Sequence, residues 1–498
     1  MDRAHSHALL TTTEMGRADA AAIAGGTPGE TLMANAGAAV AREVMRRFRP
    51  CPVVVLAGPG NNGGDGYVAA RILAEAGWAV RVAALVPASR LRGDAATHAR
   101  RWQGETVPLS LGVLEGQGLA IDALFGAGLA RPLDGIARAV VEALTARHIP
   151  TVAIDVPSGV DGNTGAVLGA APRCQLTVTF FRKKPGHLLL PGRALAGEVV
   201  VAPIGIEDAV LEAIHPRLHE NDPALWARAL PRPGLGDHKY SRGHAVILGG
   251  AAMTGAARLA SRAALRLGAG LVTIAAPKET LPIYAAHTAS VLLTPCATAA
   301  EFDRAIADER RNAVLIGPGA GLSAFTRNAV LSAARQSKRL VLDADGLTVF
   351  AGRARALFEC IKAPAVLTPH EGEFRRLFAH EGDKLSRARN AAAESGAVIL
   401  LKGADTVIAA PTGEAVINAN APPDLATAGA GDVLSGLILG LLAQGMPAFE
   451  AAACAAWIHG EAASVVGAGL IADDLAEALP RVLHRILEFR GRMEGAGP

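Results

Sequence analysis

Two stretches of this sequence combine acids or amides with glycines, a pattern suited to binding phosphates and cations. In GPGNNGGDG, residues 58–66, backbone N–H groups at a helix start can bind an anion, while Asn61, Asn62 and Asp65 add oxygen ligands for a cation. In TAGAGD, residues 427–432, glycines again precede a helical run, and Asp432 can take a proton from an attacking hydroxyl. A turn or helix cap made by the same side chains is the structural alternative in both places.

The first stretch has the spacing G-x-G-x-x-G of a dinucleotide-binding fingerprint, but it fails a second requirement of that motif. An acid should follow the second strand to bind a ribose. The second strand, AVRVAALVP at residues 79–87, contains no acid. We therefore predict a phosphate site assisted by a cation in place of the standard fingerprint.

Three further loops in the first half carry polar or glycine-rich chemistry after apolar runs. Asp122 follows LAI, Asp155 follows VAI, and Ser158 and the run 126–132 lie just beyond. Open parallel sheets bind ligands at the carboxyl ends of their strands. Each acid alone could be a helix cap or loop anchor, but four such loops at one edge favour a ligand site.

The second half has its own set of candidate residues. His370 in TPHEGE follows an apolar run, and KGADT at residues 402–406 follows another. The glycine-rich IGPGAGL, residues 316–322, is a further strand exit. Asp343 and Asp345 in VLDADGL could bind magnesium or cap the next helix.

The elements that must position these residues are short apolar strands alternating with Ala-rich helical patterns, which predicts parallel sheets with crossover helices. One series runs from residue 53 to 206 and a second from 244 to 405. The proline-rich segment 221–237 between them is a linker or the start of a domain. We predict two domains, residues 1–221 and 222–498.

The amino-acid composition restricts the kind of protein that this is and the partners that we expect. The sequence has 49 Lys and Arg residues and 46 Asp and Glu residues, and it contains no run of like charges. We therefore expect neither nucleic acid nor a membrane as a partner. The five cysteines form no C-x-x-C pair, and the first residues lack the apolar core of a signal peptide. We expect a cytoplasmic protein, and its Ala-rich helix faces are compatible with a homo-oligomer.

GPGNNGGDG, IDALFGAGLARP and AIDVPSGVDGNTG together resemble the NAD(P)H-hydrate epimerase domain over roughly residues 10–215. The resemblance implies a potassium ion bound by Asn62, Asp122 and Ser158. It implies that Asp155 is the acid/base that inverts C6 of the hydrated nicotinamide ring. It also implies contacts with the hydrated nucleotide from Asn61, Asn62, Gly63, Gly64, Asp65, Gly126, Ala127, Gly128, Leu129, Ala130, Arg131, Pro132 and Asp155.

The G-A-G-D of residues 429–432 resembles the ribokinase-like superfamily. With SRGHAVILGG, TPHEGE and KGADT it resembles the ADP/ATP-dependent NAD(P)H-hydrate dehydratase over about residues 225–490. That resemblance implies ADP or ATP as co-substrate, Mg²⁺, and Asp432 as the base acting on the substrate hydroxyl. It implies that the substrate contacts Ala256, Gly321, His370 and Asp432, and the adenine nucleotide Lys402, Gly403, Ala404, Asp405, Thr406 and Gly431. The choice between Ala256 and Ala257, and between Gly319 and Gly321, stays open.

Together the two resemblances imply an N-terminal Rossmann-like and a C-terminal ribokinase-like three-layer α/β sandwich. They imply epimerisation of the R and S forms of hydrated NADH and NADPH, followed by dehydration of the S form with release of AMP and phosphate when ADP is used. A small-alcohol kinase fused to a nucleotide-binding regulatory module is the alternative. It predicts a stable phosphorylated product. A non-catalytic interaction module is a further alternative for the first domain, but it would not need Asp65, Asp122 and Asp155.

Overall fold

The computed structural model describes residues 6–286 and 289–495. The chain divides into two compact units, Met1–His219 and Glu220–Pro498. Within the described residues, no helix is both long enough and apolar enough to cross a membrane.

The first unit is built on a seven-stranded sheet in which every neighbouring pair of strands is parallel. The order is β3-β2-β1-β4-β5-β6-β7, so the chain changes direction across the sheet between β1 and β4. Loops after strands on either side of such a point diverge and leave a crevice. The strands are β1 Val53–Ala57, β2 Val80–Ala84, β3 Thr106–Pro108, β4 Leu119–Ala123, β5 Thr151–Ile154, β6 Leu176–Phe180 and β7 Glu198–Ala202.

Seven helices of the described chain accompany this sheet: α1 Thr12–Ala24, α2 Gly29–Arg47, α3 Asn61–Glu75, α4 Gly93–Arg101, α5 Gly135–Ala146, α6 Gly192–Ala196 and α7 Val210–Ile214. A short strand, β8 Leu218–Glu220, crosses the boundary between the units. The first turn of α3 lies very close to the strand exits. A Cβ on Gly63 would collide with the backbone of Gly58, and one on Gly66 would lie 2.6 Å from the Cβ of Ala123. These glycines therefore bring the start of α3 against β1 and β4.

The strands that lie wholly in the second unit follow the order β11-β10-β9-β12-β13-β14-β15-β16-β17. Pairing is parallel from β11 to β15, and β16 and β17 add an antiparallel hairpin. The order changes direction between β9 and β12. Their ranges are β9 His244–Leu248, β10 Leu271–Ala276, β11 Leu292–Pro295, β12 Arg311–Ile316, β13 Arg339–Leu342, β14 Ala365–Leu367, β15 Val398–Leu401, β16 Val407–Ala409 and β17 Ala415–Ile417.

The helices of this unit, in the described residues, are α8 Pro223–Trp226, α9 Thr254–Arg266, α10 Leu281–Ala285, α11 Ala299–Ile306, α12 Ala324–Arg335, α13 Ala344–Thr348, α14 Ala354–Phe358, α15 Glu371–Leu377, α16 Lys384–Ser395, α17 Ala430–Ala443, α18 Ala448–Val466 and α19 Ala472–Gly495. Gly436 and Gly440 of α17 lie directly on the backbone of α9. The start of the proline-rich segment is not an open linker. It folds into α8, where the buried Trp226 ring donates a hydrogen bond of 3.1 Å to Asn221 Oδ1.

Both units are α/β with mainly parallel sheets, which confirms the predicted fold class. Three strands were not predicted from the sequence: β3, β8 and β11. Each has only three or four residues, and β3 and β11 are edge strands with largely exposed side chains.

Candidate active sites

A cavity of about 710 Å³ opens in the first unit among the loops that follow β1, β4 and β5. Residues of α1 and α2 complete its wall. The predicted site residues that line it are Asn61, Asn62, Asp65, Gly126, Ala127, Gly128, Leu129, Ala130, Arg131 and Asp155. The structure thus brings together residues from three separate loops.

Three of the predicted contact residues lie elsewhere. Gly63 packs on the backbone of Gly58, and a Cβ on Gly64 would lie 2.5 Å from the Met33 sulfur, so both have a packing role. Pro132 lines a smaller neighbouring cavity of about 360 Å³. The backbone N–H groups in the first turn of α3 are not capped by a side chain, so this helix start keeps its capacity to bind an anion.

Asp155 is the most heavily bonded acid in the cavity wall. Its Oδ1 accepts hydrogen bonds from Lys184 Nζ at 2.5 Å and Thr179 Oγ1 at 2.9 Å, and its Oδ2 accepts one from Ala127 N at 3.2 Å. The residue has a left-handed backbone with φ of 64°. Non-glycine residues rarely adopt that conformation, so the surrounding contacts hold Asp155 in a strained position of the kind found at active sites.

His187 fixes the backbone around this ion pair. Its Nδ1 accepts a hydrogen bond from Lys184 N at 2.9 Å, and its Nε2 lies 2.7 Å from the carbonyl oxygen of Asp155. Burial, with a contribution from the Lys184 charge, lowers the pKa of His187 to about 4. The ring is therefore neutral at physiological pH, with the proton on Nε2 donated to the Asp155 carbonyl.

The carboxyls of the cavity differ in their affinity for protons. Burial alone would raise the pKa of Asp155, but the Lys184 ammonium and the hydrogen bonds outweigh burial and hold that pKa below its usual 3.8. In contrast, burial and then the charges of Asp155 and Asp19 raise the pKa of Asp65 well above 3.8. Within one cavity, Asp155 therefore holds its proton less tightly and Asp65 more tightly than an ordinary aspartate.

Asp122 and Ser158 form a buried, hydrogen-bonded pair of oxygen-bearing side chains outside the cavity lining, and the buried Asn62 lies in the cavity wall. Asp122 Oδ1 accepts from Ser158 Oγ at 2.6 Å, and Oδ2 accepts from Ser158 N at 2.8 Å. Burial raises the pKa of Asp122, opposed by the hydrogen bonds from Ser158 and Leu124. No cationic side chain of the described chain pairs with Asp122, and the buried Asn62 Nδ2 has no partner there. Hard oxygen donors beside a buried carboxyl that has no cationic partner in the described chain fit a cation.

Asp432 lies in the first turn of α17, next to a buried ion pair of the second unit. Lys402 Nζ donates to Asp343 Oδ1 at 2.6 Å. Burial, and then the Asp343 charge, raise the pKa of Asp432 to about 6 against the opposing charge of Lys402. Gly429 begins this turn with φ of 86°, and no side chain caps it. The helix start therefore presents uncapped N–H groups beside a partly desolvated carboxyl.

The acids Asp343 and Asp345 each have protein partners in the described chain. Asp343 caps α13 through Ala344 N at 2.9 Å and also holds Lys402, while Asp345 Oδ2 accepts from Gly321 N at 2.8 Å. Across the described chain, no group of three His, Cys, Asp or Glu side chains is arranged to hold a metal ion. The capping alternative is therefore the one seen for Asp343.

The remaining predicted residues of the second unit border two different parts of the sheet edge. Ala256 in α9 and Gly321 after β12 flank the point where the strand order changes direction. His370 caps α15, since its Nδ1 accepts from Gly372 N at 2.9 Å, and its side chain is 55% exposed. Gly319 packs on Met253, whereas Gly321 is exposed.

The five residues of the KGADT loop differ in how accessible they are to a bound nucleotide. Lys402 is bonded to Asp343, and Asp405 is buried and paired with Lys384 Nζ at 2.6 Å. Thr406 Oγ1 donates to the carbonyl oxygen of Gly403 at 2.7 Å and closes the turn. Gly403 and Ala404 are the exposed members. The loop thus exposes its backbone at Gly403 and Ala404, while the ion pairs of Lys402 and Asp405 anchor it to the rest of the unit.

Four residues that line the first cavity or bond to its Asp155 were missed from the sequence: Asp19, Thr179, Lys184 and His187. The residues that follow β6, FRKKPGH, lie at the same sheet edge as Asp155. This position could have marked Lys184 and His187 as candidate site residues. Asp19 lies inside a helix, where no strand exit marks it.

Family models match both halves of the chain. A model described as "YjeF-related protein N-terminus" matches residues 29–186, and one described as "NAD(P)H-hydrate dehydratase" matches residues 245–483.

Relatives also match along the whole chain. The bifunctional NAD(P)H-hydrate repair enzyme of Salinibacter ruber is 38% identical over 95% of this chain and 96% of its own length. That of Moorella thermoacetica is 38% identical over 98% of this chain and 99% of its own length. Among solved structures, the Bacillus subtilis ADP/ATP-dependent NAD(P)H-hydrate dehydratase co-crystallized with ATP and Mg²⁺ is 29% identical. It covers 54% of this chain and 98% of its own, with a TM-score of 0.49.

Proposed function

The chain belongs to the family of bifunctional NAD(P)H-hydrate repair enzymes, and from this premise we propose that its two units perform linked reactions on hydrated NADH and NADPH. The first unit epimerises the R and S forms at C6. The second dehydrates the S form at the expense of ADP or ATP. The match along the whole chain supports this function and not the alternative of a small-alcohol kinase fused to a regulatory module.

One observation carries the assignment of roles. Each unit places a carboxyl with a shifted pKa near a lysine at the carboxyl edge of its sheet, Asp155 with the buried Lys184 and Asp432 with the partly buried Lys402. Such groups are candidates for proton transfer. Because the two carboxyls lie in separate units, one chain can handle both reactions.

In the first unit, Asp155 acts as a base. Its lowered pKa keeps it ionised at physiological pH, and Lys184, Thr179 and Ala127 N hold it in place. The hydrated nicotinamide nucleotide lies in the cavity between α3 and the 126–132 loop. The uncapped start of α3 binds its phosphates, and Gly126 leaves the space beside Asn62 Oδ1 and Asp155 Oδ2 open.

Potassium is the proposed cation of the first unit. Asn62, Asp122 and Ser158 would hold it, and when bound it supplies a positive charge that compensates the buried Asp122 carboxylate. Ser158 also accepts a hydrogen bond from Phe125 N at 2.9 Å. The same residue therefore links the cation site to the loop that borders the substrate.

In the second unit, Asp432 removes the proton from the C6 hydroxyl of the S epimer. The hydroxyl oxygen then attacks the terminal phosphorus of ADP or ATP, and the bond from that phosphorus to the bridging oxygen breaks to release AMP or ADP. The N1 lone pair expels phosphate from C6, and loss of a C5 proton restores the reduced nicotinamide. Uncapped N–H groups around Gly431 stabilise the transferring phosphoryl group.

The adenine nucleotide lies along the exposed backbone of the KGADT loop, and the hydrated nucleotide lies toward Ala256, Gly321 and His370. We propose that Mg²⁺ arrives with the nucleotide as its phosphate complex, because Asp343 and Asp345 are occupied by other partners. The Lys402 ammonium faces Asp343, Glu373 and Asp432, and these charges outweigh burial and raise its pKa. It therefore stays positively charged near the phosphates.

A cytoplasmic location fits the five cysteines, all of which are free thiols. We also propose that the protein forms a homo-oligomer through its Ala-rich helix faces.

A labelling experiment tests the kinase-like step. The S epimer carrying ¹⁸O at C6 should transfer that label to the released phosphate when ADP or ATP is consumed. Unlabelled phosphate together with efficient recovery of NADH would refute phosphorylation of the hydroxyl.

A further inference from the structure

Helix α1 places one charged side chain on the face that lines the first cavity. Thr12, Met15, Gly16, Asp19 and Ile23 line it, a spacing of three or four residues that forms one stripe of an α-helix. The other members of the stripe carry no charge. Asp19 is therefore the single ionisable group that α1 contributes to the cavity.

The Asp19 carboxyl has no internal partner. No described residue donates a hydrogen bond to it, whereas Asp155 accepts bonds from Lys184, Thr179 and Ala127. Removing a carboxyl from water without a donor costs free energy. Burial, partly opposed by the Lys184 charge and reinforced by that of Asp155, raises the pKa of Asp19. A cavity-lining carboxyl without an internal donor can form a hydrogen bond with a bound ligand.

The helix that carries Asp19 is fixed relative to Asp155. Thr11 and Glu14 form a capping box at its start. Thr12 N donates to Asn163 Oδ1 at 2.8 Å, and Asn163 Nδ2 donates to Thr12 Oγ1 at 3.1 Å. Asn163 belongs to the loop that begins at Asp155, so these bonds set the two carboxyls on two walls of one cavity.

We propose that Asp19 is a second catalytic residue of the epimerase, the general acid that protonates the departing C6 hydroxyl. The inference rests on the proposed function of the first unit. When inversion proceeds by breaking the C6–O bond, the oxygen leaves one ring face and returns on the other, so a proton is transferred on each face. Asp19 from α1 and Asp155 from the end of β5 supply these two groups.

The reaction balances with water as the co-reactant. Asp19 gives its proton to the C6 hydroxyl, the C6–O bond breaks with its electron pair on oxygen, and the N1 lone pair forms N1=C6. A water oxygen then bonds to C6 on the opposite face as Asp155 takes a proton from it, and the N1=C6 pair returns to N1. Asp19 has lost one proton and Asp155 has gained one. Transfer back through Lys184 or solvent restores both.

Removing the carboxyl of Asp19 should lower turnover without weakening binding. Asp19→Asn should reduce kcat for conversion of the R epimer by about 100-fold or more, the usual contribution of a general acid, with KM changed by less than about threefold. The other charged groups that line this cavity are Asp65, Asp94, Arg131, Asp155 and Lys184. Asp19→Asn should also abolish the fall of kcat with rising pH that loss of the Asp19 proton causes.

Glu142→Gln is the matched control, because it neutralises a carboxylate that is 52% exposed in a surface ion pair with Arg138. Its kcat should stay within about twofold of the original. Asp19→Glu, which keeps the carboxyl, should recover part of the lost turnover. Hydrogen exchange in β6 shows whether each variant keeps the first unit folded.

Several outcomes would overturn the assignment. If Asp19→Asn keeps its kcat, or raises KM alone, Asp19 is not the acid. If Asp19→Asn loses turnover but keeps the original pH dependence, its proton is not the one transferred. If the unchanged protein converts no R epimer at all, the proposed epimerase function itself fails, which is a different result from an active protein with an unaffected variant.

Discussion

Replacing Lys184 with Met should expose how strongly the first unit depends on its buried ion pair. The Lys184 side chain is 2% exposed and that of Asp155 is 17% exposed, and Nζ lies 2.5 Å from Oδ1. Met fills a similar volume but carries no charge. The change therefore leaves a largely buried carboxylate without its counter-ion.

Removing one partner of a buried pair typically destabilises a protein by about 3–5 kcal/mol. Asp155 keeps its hydrogen bonds from Thr179 and Ala127 N, which partly solvate the charge. We therefore expect about 3 kcal/mol for Lys184→Met at mildly alkaline pH, near the lower end of that range. Arg138→Met, which breaks the surface pair with Glu142, should cost only about 0.5 kcal/mol.

The stability lost on replacing Lys184 with Met should be larger at alkaline pH than at acid pH. In the original protein the pKa of Asp155 lies below 3.8, so its ionisation stabilises the folded state above that value, and this is lost as pH falls through the lowered pKa. Without Lys184, burial dominates and raises the pKa of Asp155. The cost of the substitution is then full above the raised pKa and shrinks as pH falls through it.

Hydrogen exchange of the amides in β5 and β6, followed by mass spectrometry, measures the stability of this unit separately from the other. The reasoning would be refuted if Lys184→Met and Arg138→Met reduced protection equally. It would also be refuted if the loss for Lys184→Met were the same at acid and alkaline pH.

Three other predictions follow from the same structure. Dehydration of the S epimer should slow as pH falls through about 6, because Asp432 must be ionised, and Asp432→Asn should abolish the reaction. A pH-rate profile checks both. Gly63→Ala should destabilise the first unit by about 1–3 kcal/mol in a denaturant titration, since its Cβ would meet the Gly58 backbone. Ser158→Ala should raise the potassium concentration needed for half-maximal epimerisation by about tenfold, measured by titration with KCl against a choline chloride control.

Most of the fold was predictable because buried parallel strands are continuous apolar runs. β1, β4 and β9 are fully buried and stand out in the sequence. β3 escaped because it is a three-residue edge strand that ends in proline. Its pairing with β2 depends on the sheet already being in place.

The site was predictable where a residue lies at the carboxyl end of a strand. Asp155 directly follows β5, and Asp122 is the next-to-last residue of β4, so the parallel order of the sheet brings them to the same edge. The partner of an acid was less predictable, because Lys184 lies 29 residues from Asp155. The partner of Asp343 was equally hard to predict, because Lys402 lies 59 residues from it. Asp19 could not be predicted as a site residue, because only the folded structure shows which face of α1 lines the cavity.

The central claim is that two sites in one chain repair both epimers. The direct measurement incubates the full chain with an equal mixture of R and S hydrates, ADP or ATP, Mg²⁺ and K⁺, and follows recovery of the reduced-nicotinamide absorbance. Complete recovery is expected, with Asp155→Asn stopping at about half and Asp432→Asn giving none. Recovery that stops at half for the unchanged protein would contradict the epimerase, and no recovery from a folded chain would contradict the account as a whole.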